Sequence, residues 1–198
     1  FYFDYESARP EQVLLTVQQS PYAEIRVLEK DAYRYLLIDG GTHTIVDPKT
    51  WQSYFPYAAV MEIPKMFYEN PGEMLLVGLG GGSIVKNYAR DGWRVDAVEI
   101  DPVVVDVARN YFGLQTDEGT IYTTDGRQFL LGAEKKYDVI IMDAFGSSSI
   151  PFHLVTREAF GLIASRLTEG GTFAINMEAA GWFEDVVQAL SATLKQQF

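Results

Sequence analysis

The sequence predicts an α/β fold, a doubly wound parallel sheet preceded by a small antiparallel β region. After Asn70-Pro71-Gly72 short apolar runs alternate regularly with helix-like segments. Most of those runs are apolar throughout, as strands covered on both faces must be. Before that point the pattern has period two and is cut by turn signals.

Residues 12–46 read as a meander: QVLLTVQQ, EIRVLEK and YRYLLID, with turns at SPY, KDA and DGG. In residues 50–69, Tyr54, Tyr57, Ala58 and Met61 keep helical spacing while Pro56 and Pro64 interrupt it, so one short or broken helix is expected. The alternation then begins with MLLVGL, the helix SIVKNYAR closed by Gly92, and the strand WRVDAVEI. DPVVVDVARNYF is a helix with Asp101 as N-cap and Pro102 at its first position, closed by Gly113, with Val103, Val104, Val107, Ala108 and Tyr111 on one face. TIYTT, RQFLLGA, YDVIIMDA, TREAFGLIASRL and GTFAINM follow, then a last helix from Trp182 with Phe183, Val186, Val187, Leu190 and Leu194 inward. The expected units are a β domain at 1–49, a linking helix at 50–71 and an α/β domain at 72–198 whose C-terminal end is cut short, because no closing hairpin follows Leu194.

The 198 residues are 47% hydrophobic, enough for a sizeable core. A net charge of -11 with no Lys/Arg-rich block argues against a nucleic-acid partner and fits a cationic small molecule, although acidity also serves solubility alone. There is no cysteine, so disulfides and thiolate chemistry are excluded, and two histidines cannot build a histidine-rich metal cluster; no metal is expected. No apolar run approaches the roughly 20 residues of a membrane span. Together with the missing basic leader, this gives a cytoplasmic expectation with no membrane contact by this segment. With no initial Met, the sequence is expected to be a trimmed or processed piece of a longer chain.

In a doubly wound sheet the ligand lies outside the carboxyl ends of the strands. Those ends carry Gly78, Gly80, Gly81, Gly82 and Ser83, then Glu99 and Asp101, then Asp125 and Gly126, then Asp143. Glycines at the first turn admit a ligand close to the backbone, although such turns also occur for packing. Glu99, about 20 residues on, stands where a carboxylate accepts hydrogen bonds from both ribose hydroxyls. These features fit nicotinamide dinucleotides and S-adenosyl ligands alike. Asp125 can reach an exocyclic adenine amine, and a turn-forming Asp-Gly accounts for it equally well. Asp143 faces a substrate or the ligand's amino-acid end.

YLLIDGG, LLVGLGGGS, AVEIDPVVVDVAR, TTDGRQFL and YDVIIMDAF with IPFHLVTREAF together resemble the spermidine synthase family of polyamine aminopropyltransferases, especially a divergent spermidine-synthase-like bacterial branch. The resemblance implies a methyltransferase-type Rossmann-like domain behind a β domain, a homodimer, and aminopropyl transfer from decarboxylated S-adenosylmethionine to putrescine or a related amine. It assigns Glu99 to the ribose, Asp125 to the adenine amine, Asp143 to the first acid of the DSSDP motif, and Gly78, Gly80 and Gly82 to the glycine loop. Three positions depart from the pattern: Gly81 replaces the loop acid, His43 the glutamine after LDG, and Gly146 the second DSSDP aspartate, which helps deprotonate the amine.

An amine must be neutral to attack, so another group has to manage its proton. The candidates are Asp143, Glu178 after the fifth strand, and Tyr54 or Tyr57, for which packing is the plainer account. His153 reads first as a solvated or capping histidine. The function implied is an aminopropyltransferase-like enzyme of polyamine biosynthesis, with S-adenosylmethionine as the alternative donor. A methyltransferase on the same scaffold and a non-catalytic nucleoside-binding domain are the other readings.

Overall fold

The computed structural model describes residues 12–144, 151–177, 181 and 183–198. Its first layer is an antiparallel sheet in the order β1 (Val13–Gln19), β2 (Glu24–Lys30), β3 (Tyr33–Ile38) and β4 (Gly41–Val46). Two-residue turns set its register: Asp31 and Ala32 both have positive φ between Lys30 and Tyr33, as do Asp39 and Gly40 between Ile38 and Gly41. Paired positive φ values match the right-handed twist of the strands they join.

The link to the second layer is α1 (Pro56–Val60) followed by a 3-10 turn at Ile63–Phe67. Pro56 and Pro64 do not break one longer helix. Each sits in the first turn of its own short segment, where its missing N–H costs nothing.

The second layer is a parallel sheet of β5 (Glu73–Val77), β6 (Arg94–Glu99), β7 (Thr120–Thr123), β8 (Tyr137–Met142) and β9 (Leu167–Ile175), in the order β7-β6-β5-β8-β9. The helices are α2 (Ser83–Arg90), α3 (Pro102–Tyr111), α4 (Gly126–Gly132), α5 (Arg157–Arg166) and α6 (Asp185–Leu194). Strand order reverses between β5 and β8, so the switch point lies between Val77 and Met142. The doubly wound expectation holds.

Alternate residues of β5 feed two cores, as strand geometry requires. Met74 and Leu76 pack with Val85 and Tyr88 of α2, while Leu75 and Val77 pack with Leu130 of α4 and Phe160 of α5. α3 is shared between layers: Val105 and Ala108 join the parallel-sheet core, while Val104 and Val107 meet Ile25, Val27 and Leu36 of the antiparallel sheet. The single face expected for α3 is therefore two faces, because the helix is sandwiched. At the C-terminal end, α6 starts at Asp185, Trp182 lies outside the described residues, and Phe183 is 94% exposed instead of inward. Val186, Leu190 and Leu194 do pack on the second core. No described helix is long and apolar enough to cross a membrane.

Candidate active site

A cleft of about 790 Å³ opens at the switch point, between the carboxyl ends of β5, β6 and β8 and the antiparallel sheet. Its lining includes Gly78, Leu79 and Gly80, the acids Asp39, Glu99, Asp101, Asp125 and Asp143, and also His43, Tyr57, His153 and Asn176. No lysine or arginine is among the described lining residues. A cation is favoured in such a cleft and a pyrophosphate repelled.

The glycine loop is shaped by its neighbours. Gly78 has φ +94, and a Cβ there would come within 2.2 Å of the Asp143 carbonyl oxygen, so glycine lets the ends of β5 and β8 approach. Gly82, with φ +77, turns the chain into α2 beside Leu114 and does not line the cleft. The loop's N–H groups are largely spent inside the protein: Leu79 donates to Glu99 Oε2 at 3.0 Å, Gly81 to Thr44 Oγ1 at 2.9 Å, and Gly82 to the Leu79 carbonyl. This loop is therefore poorly equipped to cradle phosphate, which counts against a dinucleotide.

Thr44 also explains one departure from the family pattern. A Cβ on Gly81 would lie 2.7 Å from Thr44 Cγ2 and 3.0 Å from Phe112, leaving no room for an acid. We expect Gly81→Asp to lower Tm by about 3–10 °C, since overpacking costs about 1–3 kcal/mol. Adding Thr44→Ser, which removes the blocking methyl but keeps the hydroxyl, is expected to recover part of the loss. Equal melting of wild type and Gly81→Asp would refute this packing account.

Each strand-end acid has a distinct setting. Glu99 ends β6 with Oε1 accepting from the Asp101 N–H at 3.0 Å and Oε2 from Leu79, and burial raises its pKa against those donors. Asp101 caps α3 through Oδ1, while Oδ2 accepts from Ser20 Oγ at 2.5 Å, pinning the antiparallel sheet to the helix. Asp125 caps α4 through Oδ1 and meets His153 Nε2 at 2.8 Å through Oδ2. Gly126 follows against Val77, where a Cβ would lie 2.6 Å from Cγ1.

Asp143 sits just past β8, with its backbone N–H bonded to the Val77 carbonyl. Its Oδ1 accepts from Asn176 Nδ2 at 2.8 Å, and Tyr57 donates to the same carboxylate. Burial outweighs both donors and pushes the acid up to about 6. Burial and the neighbouring carboxylate push the Tyr57 phenol up, so it stays a donor.

The structure thus brings Gly78, Gly80, Glu99, Asp101, Asp125, Gly126, Asp143 and Tyr57 to one cleft. Tyr54 is 62% exposed and packs at a tilt against Tyr33 instead. Glu178 and Gly146 lie outside the described residues. Asn176, the first residue after β9, escaped the sequence reading although the strand-end rule applies to it; Thr44 left no sequence signal.

Residues 55–198 match the spermine/spermidine synthase domain model. The polyamine aminopropyltransferase of Vibrio vulnificus (strain CMCP6) is 33% identical over 178 residues, covering 84% of this chain and 60% of the relative. A spermidine synthase in complex with the transition state analogue AdoDATO superposes with a TM-score of 0.80 at 22% identity, over 94% of this chain and 65% of that one. Human methyltransferase-like protein 13 in complex with SAH gives 0.58 at 29% identity, over 71% of this chain and 69% of that one. The chain spans 60% to 66% of the length of the first curated relatives it matches. With a family match across most of its length, a fold shared with spermidine synthase, and the strand-end acids gathered in one cleft, the chain belongs to the spermine/spermidine synthase domain family.

Proposed function

We propose that the protein containing this chain transfers an aminopropyl group from decarboxylated S-adenosylmethionine to a polyamine or similar amine. The observation that carries the reading is the cleft itself, lined by carboxylates, lacking described lysine or arginine, and centred on Asp143 held by Tyr57 and Asn176. Glu99 would receive the ribose hydroxyls, Asp125 the adenine amine once His153 yields its place, and Gly78 and Gly80 the close backbone approach. Asp143 would hold the cationic amine beside the sulfonium, with Tyr57 fixing the carboxylate. A sulfonium is a good leaving group, so alignment supplies much of the acceleration.

The proposed units are a β domain at 1–49, a link at 50–71 and a donor-binding domain at 72–198. A homodimer and a cytoplasmic setting belong to the same reading. Exposed Val13, Leu14 and Val17 on the edge strand β1 offer apolar surface for a second copy.

Methyl transfer from S-adenosylmethionine is the second reading. Thr44 occupies the space where an acid at residue 81 would repel that donor's carboxylate. Incubation of the protein with each donor and a panel of amines, read by mass spectrometry, separates the two. A product heavier by one aminopropyl unit is expected. A methylated product, or binding without turnover, overturns the reading.

A further inference from the structure

We propose that His43 is the proton acceptor for the incoming amine, a catalytic residue supplied by the antiparallel sheet. This inference rests on the aminopropyl-transfer reading.

The first support is backbone geometry. Along β3 and β4, Leu36 pairs with Thr44 and Leu37 with Thr42, so His43 is the extra residue of a β-bulge. Regular alternation sends neighbouring side chains to opposite faces, and a bulge re-aims them. Here Thr42 and His43 both line the cleft, while the next residue, Thr44, is buried and holds the Gly81 N–H. The bulge is thereby clamped to the glycine loop at the donor side of the site.

The second support is what else occupies the cleft. His153 is engaged by Asp125, Tyr57 donates to Asp143, and one Asp143 oxygen accepts from Asn176. The His43 imidazole has no hydrogen-bond partner among the described residues. Burial lowers its pKa, against the opposing pull of Asp39 on the adjoining turn, which leaves a neutral imidazole with a lone pair. The other ionisable groups sharing the cleft are Tyr22 beside β2, Tyr57 from α1, and Glu99, Asp101, Asp125, Asp143 and His153 from the parallel-sheet side. Each of these carboxylates already accepts hydrogen bonds from the protein, whereas the imidazole lone pair is unengaged among the described residues.

The step balances without a further reactant. An ammonium N–H bond breaks and its proton passes to the imidazole. The amine lone pair forms the new C–N bond, the C–S bond breaks, and its electron pair stays on sulfur as a neutral thioether. The product leaves as a secondary ammonium, and the imidazolium returns its proton to water.

The test compares wild type with His43→Gln, His43→Asn and His43→Ala, using methylthioadenosine binding by calorimetry to check that the site is intact. Turnover by His43→Gln is expected to fall about 100-fold at neutral pH with nucleoside affinity unchanged. The gap should narrow as rising pH supplies free amine, and imidazole in solution should partly restore His43→Ala. An unchanged pH profile, or a change confined to KM, overturns the assignment while leaving aminopropyl transfer standing. Wild-type protein that transfers nothing overturns both.

A second measurement does not need turnover. The chain has two histidines, so His153→Asn protein labelled with 15N-histidine reports His43 alone. Adding amine together with methylthioadenosine must move its lone-pair nitrogen resonance, and a static signal overturns the proposal.

Discussion

Asp143→Asn is expected to lower turnover by about 10²–10³-fold, the range for removing one preorganised electrostatic group from a reacting centre, while methylthioadenosine still binds. The substitution is nearly isosteric, and its hydrogen bonds can be remade. The new amide oxygen accepts from Asn176, and the Tyr57 hydroxyl can turn to accept from the new NH₂. What disappears is the negative charge that would hold an ammonium beside the sulfonium. Because burial raises this carboxyl to about 6, wild-type activity should also fall as pH drops through that value, well above the usual aspartate range. An Asn variant with wild-type turnover would remove Asp143 from the mechanism.

The same shift has a stability consequence of opposite direction. With its folded pKa above the unfolded value of 3.8, Asp143 takes up a proton on folding between those two pH values. Its stabilising contribution is present in acid and lost as pH rises through about 6. At pH 8 the Asn variant should therefore be more stable than wild type by about 1–3 kcal/mol, after allowance for the partly open cleft. That advantage should vanish near pH 4. Gain of stability with loss of turnover is the signature of a group retained for function at the fold's expense.

Much of this site was legible because its determinants are local. Asp101 and Asp125 each precede a helix and cap it through their own side chains, so residue type and spacing located both. The apolar β5, β6 and β8 stand out because both their faces are covered, and their ends follow directly. Contacts across the chain were not legible. Thr44 closes on Gly81 from another sheet, and the bulge at His43 depends on register rather than composition. The linking segment was expected as one short or broken helix; the short helix α1 is there, but the separate 3-10 turn after it was not legible, because prolines at first-turn positions resemble breaks until the boundaries are known. Phe183 was placed inward by apolarity alone, yet it precedes α6 and faces solvent.

Glu99→Ala is the second large effect, and it falls on binding. Both Glu99 oxygens already receive backbone N–H groups, from Asp101 and Leu79, which fix the carboxylate in the cleft wall, and each oxygen has a second lone pair for a ligand donor. Two ribose hydroxyls would donate to those lone pairs, and bonds to a charged acceptor contribute about 1.5–3 kcal/mol each. Methylthioadenosine affinity should therefore drop about 10²–10³-fold, less than the sum because water refills part of the space. Glu99→Gln should rescue little despite its shape. Whichever way the amide turns, its NH₂ must face the N–H of Leu79 or of Asp101, so a buried donor loses its partner. In wild type, nucleoside binding should weaken on acidification at a pH above the ordinary glutamate range, since burial raises this pKa and protonation removes the acceptor. Full affinity in the Gln variant, measured by calorimetry at neutral pH, would mean that the ribose is held elsewhere and that Glu99 only closes the glycine loop.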